Sequence, residues 1–244
     1  MLLSLILDSI KKIGFKKNNK VVYTVITGDY DDLKIPEYVN EDWDYICFTD
    51  TDIKSDFWQI RKIHEFELDP VRKSRKYKIL PHRYLSEYDC SVYIDGSFVI
   101  TGDINEYIYK YAKTNPMLCL THPERNCIYD EADVCLSLKK DSENIIIAQI
   151  EKYLVEKYPK NNGLIAGGIM FRKHNDPSVI EVMEDWNEEV LNYSRRDQLS
   201  FNYICWKKDF EYDICDLSCW ENEYFRGIPH KTHINNNNDC NIND

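Results

Sequence analysis

No C-x-x-C pair occurs anywhere in this chain, although it holds nine cysteines. The usual sequence mark of a zinc knuckle or a dithiol redox site is therefore missing. An odd number of thiols at irregular spacings, with Cys215 and Cys219 the closest pair, does not read as a disulfide framework either. A reducing cytoplasm with buried or idle thiols is the expected setting. Basic charge is also in deficit: 31 Lys and Arg stand against 42 Asp and Glu, a net charge of −11, which excludes a general nucleic-acid binder. No apolar run approaches the roughly 20 residues that span a bilayer. There is no internal repeat and no Pro-, Gly- or Ser-rich linker, so one domain is expected. What the chain does have is 43% hydrophobic residues and 18 tyrosines, enough to bury a sizeable core.

The two ends read differently from the middle. Leu3, Ile6, Ile10 and Ile13 share one face of an expected amphipathic helix over residues 1–19, with Lys11, Lys12, Lys16 and Lys17 after the apolar run. A secretory signal would place its positive charge first. The helix is read either as docked on the domain or as a shallow anchor that makes peripheral membrane contact through residues 1–17. At the other end, residues 234–244 are Asn-rich and expected to be disordered. The domain itself is placed at 20–233.

Within it, apolar strands and amphipathic helices alternate, which predicts an α/β fold with a central, mostly parallel sheet. Strands are expected at Val21–Ile26, Tyr45–Phe48, Phe57–Ile60, Ser91–Ile94, Met117–Leu120 and Leu164–Phe171. Asp69-Pro70 and Asp176-Pro177 each read as an N-cap followed by proline at the first helical position. The first of these helices is expected to bend near Pro81, and the second to run to about Asn192. Further helices are expected over Asp103–Lys113, over Asn144–Tyr158 with Ile147, Ile150 and Leu154 inward, and over Arg196–Trp206. Thr121–Leu136 is read as loop.

The candidate chemistry gathers where strands end. Ser91-Val92-Tyr93-Ile94 stops on Asp95-Gly96-Ser97, which puts a carboxylate at the sheet's carboxyl edge, where open α/β sheets place their ligands. Just before it, six Lys and Arg lie between Arg72 and Arg83; Arg75 and Lys78, three apart, share a helix face that suits a diphosphate. After the first strand comes Thr27-Gly28-Asp29-Tyr30. There Asp29 can accept from a base or ribose and Tyr30 can stack, or the loop is an Asx-turn with a packed ring. Asp50 ends the second strand in a similar position. Asp197 and Gln198 either cap a helix or face a sugar. His230 and His233 stand three apart near the end and, by themselves, read as surface residues.

Together these pieces resemble nucleotide-sugar glycosyltransferases of the GT-A fold. The nearest likeness is to a glycosyltransferase-like domain family first catalogued as a domain of unknown function, with plant members tied to mucilage and with bacterial members. It rests on Tyr77-Lys78-Ile79-Leu80-Pro81-His82-Arg83, Tyr93-Ile94-Asp95-Gly96-Ser97, His122-Pro123-Glu124-Arg125 and Arg196-Asp197-Gln198-Leu199-Ser200-Phe201, over about residues 20–208. A looser likeness to family 8 glycosyltransferases sets Tyr93–Ser97 against their Asp-x-Asp strand, Ala166-Gly167-Gly168 against their Asn-Ser-Gly strand, and His230 or His233 against their metal-binding histidine. Ser97 stands where their second metal-binding Asp would be.

The resemblance implies a UDP-sugar or similar donor, a carbohydrate acceptor, and a divalent cation, Mn or Mg, held by Asp95, Ser97 and His233. It implies Asp95, Asp197 and Gln198 as catalytic residues, with Asp197 nearest the anomeric carbon. Thr27, Asp29, Tyr30, Asp50, Arg75 and Lys78 would bind nucleotide and diphosphate. His122, Gly167, Gly168 and Arg196 would contact acceptor or sugar, with Glu124 and Glu131 in reserve. Two rivals stand beside it. A sugar nucleotidyltransferase needs a Gly-rich basic loop after the first strand, and Thr27–Tyr30 is acidic. A non-catalytic carbohydrate-binding or interaction protein is favoured by the missing second Asp.

Overall fold

The computed structural model describes residues 18–230 apart from Phe66. The expected N-terminal helix and the Asn-rich tail, with His233, lie outside the described residues, save Asn18 and Asn19. Strands β1 (Lys20–Ile26), β2 (Asp44–Thr49) and β3 (Gln59–Lys62) come first. Helices α1 (Pro70–Ile79) and α2 (Pro81–Tyr84) lead into β4 (Cys90–Ile94), β5 (Phe98–Ile100) and α3 (Ile104–Tyr111). Then follow β6 (Met117–Thr121), α4 (Ile128–Ser137), α5 (Glu143–Val155), β7 (Ile165–Arg172) and α6 (Pro177–Asn192). A 3-10 turn (Asp197–Leu199), α7 (Phe201–Lys207), β8 (Asp213–Cys215) and β9 (Phe225–Gly227) complete the order.

Seven strands form one sheet in the order β3-β2-β1-β4-β7-β6-β8, while β5 and β9 pair separately. All the pairings in the large sheet are parallel except those of β7, which runs against both β4 and β6. This is the mixed, mostly parallel α/β sheet flanked by helices that the alternation predicts. Six of the seven residues of β1 are buried, the near-continuous apolar run of a strand covered on both faces. Its period of two divides the core: Val21, Tyr23 and Val25 face one apolar layer, Val22 and Ile26 the other. Each fully buried Val or Ile contributes about 1.5–3 kcal/mol. None of the helices among the described residues is long and apolar enough to cross a membrane.

The caps behave as their chemistry dictates. Asp69 accepts from the Val71 and Arg72 amides at 3.0 and 3.1 Å, and Asp176 from Ser178 at 2.9 Å. Asp103 does the same for α3, each cap being worth about 1 kcal/mol. Four readings are corrected. Strand β3 starts at Gln59 because the Ser55 hydroxyl accepts the Phe57 and Trp58 amides, holding those residues in a turn. Helix α1 does not bend at Pro81; it stops at Ile79, and the proline opens the separate α2. Helix α5 buries Ile146, Gln149 and Tyr153, leaving Ile147 and Leu154 exposed. A chain of hydrogen bonds, Gln149 to Tyr153 at 2.8 Å and Tyr153 to Glu189 at 2.9 Å, takes the inner face. Part of the segment read as loop is α4, whose Ile128, Ala132 and Cys135 recur at helical spacing on its buried side.

Candidate active site

Tyr93 and Asp95, two apart in an extended segment, project to the same face of the sheet, the face on which α1 packs. The Tyr93 hydroxyl donates to Asp95 Oδ1 at 2.6 Å, and the Asp95 amide donates to the Gly168 carbonyl at 2.8 Å. The strand tip is thereby fixed to β7. From α1, the Lys78 ammonium lies 5.1 Å from the centre of the Tyr93 ring and pairs with Asp197 Oδ2. Arg75 Nε lies 3.3 Å from the other oxygen, Asp197 Oδ1. A side chain on Gly167 would bring its Cβ to 3.1 Å from Lys78 Nζ and 3.7 Å from Asp197 Oδ2, so the ion pair occupies the space that a larger residue would need.

Asp197 is 3% exposed, and its turn is pinned: the Trp186 indole donates to its carbonyl at 3.0 Å, and the Ser200 hydroxyl at 3.1 Å. Gln198 Nε2 donates to the Ile165 carbonyl at 3.1 Å, tying the same turn to β7. Burial alone would raise the Asp197 carboxyl; the Arg75 charge, then that of Lys78, outweighs it and holds the group well below the usual carboxylate range. Lys78 lies below its ordinary value, because burial and then the neighbouring Arg75 oppose what Asp197 restores. Arg75 lies above its own, its burial outweighed by Asp197 and Asp95. The Nε atoms of Arg75 and Arg196 are buried with no hydrogen-bond partner. Arg196 acts on Asp197 from one side and on Cys135 of α4 from the other.

The expected nucleoside loop divides into scaffold and surface. Thr27 is buried, its hydroxyl donating to the Pro70 carbonyl at 2.7 Å. Asp50 accepts the Gly28 amide at 2.9 Å and Lys73 Nζ at 2.8 Å. Both of them tie the loop to the start of α1. The loop then turns through the left-handed region, Gly28 at φ +63° and Asp29 at +56°, which sets Asp29 and Tyr30 outward. The ring of Tyr30 sits 5.0 Å from that of His230.

Three participants escaped sequence reasoning. Asp31, 8% exposed, packs against Gly96 and lies 3.0 Å from His230 Nδ1. With the Ile228 amide donating to the Ser97 carbonyl at 2.6 Å, this pair straps the segment after β9 over the Asp95–Ser97 turn. The signal is the acidic run Asp29-Tyr30-Asp31-Asp32, in which the sequence reading gives roles to Asp29 and Tyr30 alone. Tyr93 was legible from its i, i+2 relation to Asp95. Trp186 carried no signal, since nothing local says which tryptophan will meet a distant turn.

His122, Glu124 and Glu131 form a cluster of their own. His122 Nδ1 accepts the Glu124 and Arg125 amides, and Arg125 Nε donates to the buried Glu131 at 2.6 Å. The His122 amide donates to the Leu164 carbonyl at 2.9 Å, which places the cluster at the same sheet edge. Among the described residues, no three His, Cys, Asp or Glu side chains are arranged to hold a metal ion. Asp95 accepts from Tyr93, Asp31 pairs with His230, and His233 lies outside the described residues. The positive charge beside Asp95 comes from Arg75 and Lys78.

No curated protein matches this sequence. Among solved structures, the chain is similar to an apo form of the WbbM bifunctional glycosyltransferase, at 10% identity and a TM-score of 0.49. The likeness covers 82% of this chain but 39% of that one. The model of the TOD1/MUCI70 glycosyltransferase-like domain matches residues 5–233, nearly the whole sequence, and the chain belongs to that family.

Proposed function

We propose that the protein moves a sugar from a nucleoside diphosphate sugar, a UDP-sugar first among them, to a carbohydrate acceptor. The observation that carries this reading is the buried Arg75–Lys78–Asp197 cluster beside Asp95. When the glycosidic bond breaks, negative charge appears on the departing diphosphate, and fixed cations in a poorly solvated site stabilise it. Arg75 is the more accessible of the two, its side chain 17% exposed against 2% for Lys78. An anion therefore meets the guanidinium first.

Lys78 acts through Asp197, holding it ionised and in place. Asp197 then serves at the anomeric carbon, as base or as charge stabiliser. Asp29 and Tyr30 take the nucleoside on a loop that Thr27 and Asp50 hold to α1. Gly167 gives its side-chain space to the Lys78–Asp197 pair and Gly168 to the ring of Phe98, so both serve as wall behind the donor sugar, while Arg196 and His122 line the acceptor side. Gln198 keeps the turn on β7. The same proposal places the protein in the cytoplasm, with residues 1–17 as its contact with a membrane surface.

The test is nucleotide release from a panel of UDP- and GDP-sugars, with EDTA and with manganese, using Asp95→Ala and Asp197→Asn as controls. Loss of a base costs on the order of 10²–10⁴-fold in turnover. Unchanged turnover in either variant would remove that residue from the reaction. A second reading, a sugar-nucleotide binder that does not transfer, draws on how completely Lys78 and Arg75 already engage Asp197. UDP binding without release of nucleotide from any sugar of the panel would favour it.

A further inference from the structure

A cavity of about 160 Å³ opens between the loop before β7 and the segment after α7. Asn162, Asn202, Trp206, Asp209, Glu211 and Tyr212 line it. Drug-sized ligands fill roughly 300–1,000 Å³. This space is about half the lower end of that range, the room of one small ring. Its lining is of two kinds. Trp206 is 37% exposed and presents an aromatic surface. Around it stand the carboxylates of Asp209 and Glu211 and the carboxamide of Asn162, all on exposed residues. No cation lines the cavity: Lys208, which interrupts this stretch, pairs with Glu181 and Asp185 of α6.

These features select their ligand. Two carboxylates repel phosphate, so the cavity does not suit a nucleotide. A pyranose fits. Its axial C–H bonds pack on the electron-rich face of an indole, and its neighbouring hydroxyls donate to carboxylates and a carboxamide. The cavity also adjoins the charged site through a single residue. The Ile165 amide donates to Asn202 Oδ1 at 3.2 Å, while the Ile165 carbonyl accepts Gln198 Nε2 at 3.1 Å. Asn202 is held in turn, donating to the Tyr212 hydroxyl at 2.7 Å. One wall of the cavity is therefore fixed to the turn that carries Asp197.

We infer that this cavity is a glycan subsite, which seats one uncharged sugar ring of the acceptor against Trp206 and holds the chain in line with Asp197. The word acceptor rests on the transfer reading above; the sugar site itself does not. The experiment is saturation-transfer NMR on the full chain, without donor, using the methyl glycosides of glucose, galactose, mannose and xylose. Trp206→Ala and Glu211→Gln are the variants, with circular dichroism and UDP affinity as folding controls. At least one glycoside is expected to saturate on the native chain, and either substitution to weaken it at least fivefold with UDP affinity unchanged. Should no glycoside saturate, or should both variants match the native protein, the subsite is overturned. Saturation in a protein that turns over no sugar nucleotide would keep the subsite and sink the transfer reading. Turnover without saturation would do the reverse.

Discussion

Lys73 and Lys78 leave the same helix, and each meets a carboxylate at the carboxyl edge of the sheet. Lys73 reaches Asp50 at 2.8 Å, across 23 positions of sequence, with side chains 10% and 18% exposed. Lys78 reaches Asp197 across 119 positions, with side chains 2% and 4% exposed. The first pair joins neighbouring elements, and its carboxylate also accepts the Gly28 amide; it shapes a loop. The second joins the first half of the chain to the second in a place water does not reach. Near and half-wet contacts build the frame, and the distant dry one builds the site. Burial gives the second pair its leverage, since a charge left alone there has no solvent to turn to.

That contrast can be broken by removing one ammonium at a time. Lys78→Met strands the Asp197 carboxylate with Arg75 alone and should cost about 3–5 kcal/mol of stability, read as a fall in denaturation midpoint. Adding Asp197→Leu together with Arg75→Met should restore most of it; a triple variant no better than the single would mean that the stranded charge is not the cause. Lys73→Met should cost about 1 kcal/mol, the upper end for partly solvated pairs, and should loosen the Gly28 turn. Equal losses in the two single variants would erase the distinction between frame and site.

The smallest effect belongs to the strap. Its hydrogen bond to Asp31 raises His230 above its ordinary value near 6.5, against the opposing effect of burial. The charged pair is therefore complete below that value and is lost as pH rises through the higher folded one. Hydrogen exchange of residues 225–230 should quicken over that interval, and Asp31→Asn should lower the midpoint of the His230 titration by NMR. An unmoved midpoint would show that Asp31 does not tether the strap.

Much of the frame was legible because its causes are local. Asp69-Pro70 and Asp176-Pro177 cap the helices they announce, and the apolar strands lie within a few residues of their expected bounds. Ile147 and Leu154 outrank Gln149 on any hydrophobic scale, yet of the inward face expected for α5 only Ile150 packs on the core. What decided was a partner, Glu189, that only the tertiary fold supplies. The site was half legible. Strand ends named Asp95 and Asp50, and helical spacing joined Arg75 to Lys78. That Lys78 would face Asp197 rather than open space depends on β7 and the turn after α6, which no local pattern specifies. Thr27 and Asp50 are expected at a ligand, and the fold sets Thr27 on the Pro70 carbonyl and Asp50 on the Gly28 amide.

One strand reversed among parallel ones has a consequence for how the protein comes into being. The reversed strand β7 and the turn that carries Asp197 both follow β4 in the chain, so the counter-ion of Lys78 is made 119 positions after it. At about 5–20 residues per second, the ribosome needs roughly 6–24 s to make the 119 positions that separate Lys78 from Asp197. Until then the ammonium lacks its Asp197 counter-ion, and the edge of β4 waits unpaired until β7 has been made. The charged site thus assembles only after the sheet's reversed strand has been made.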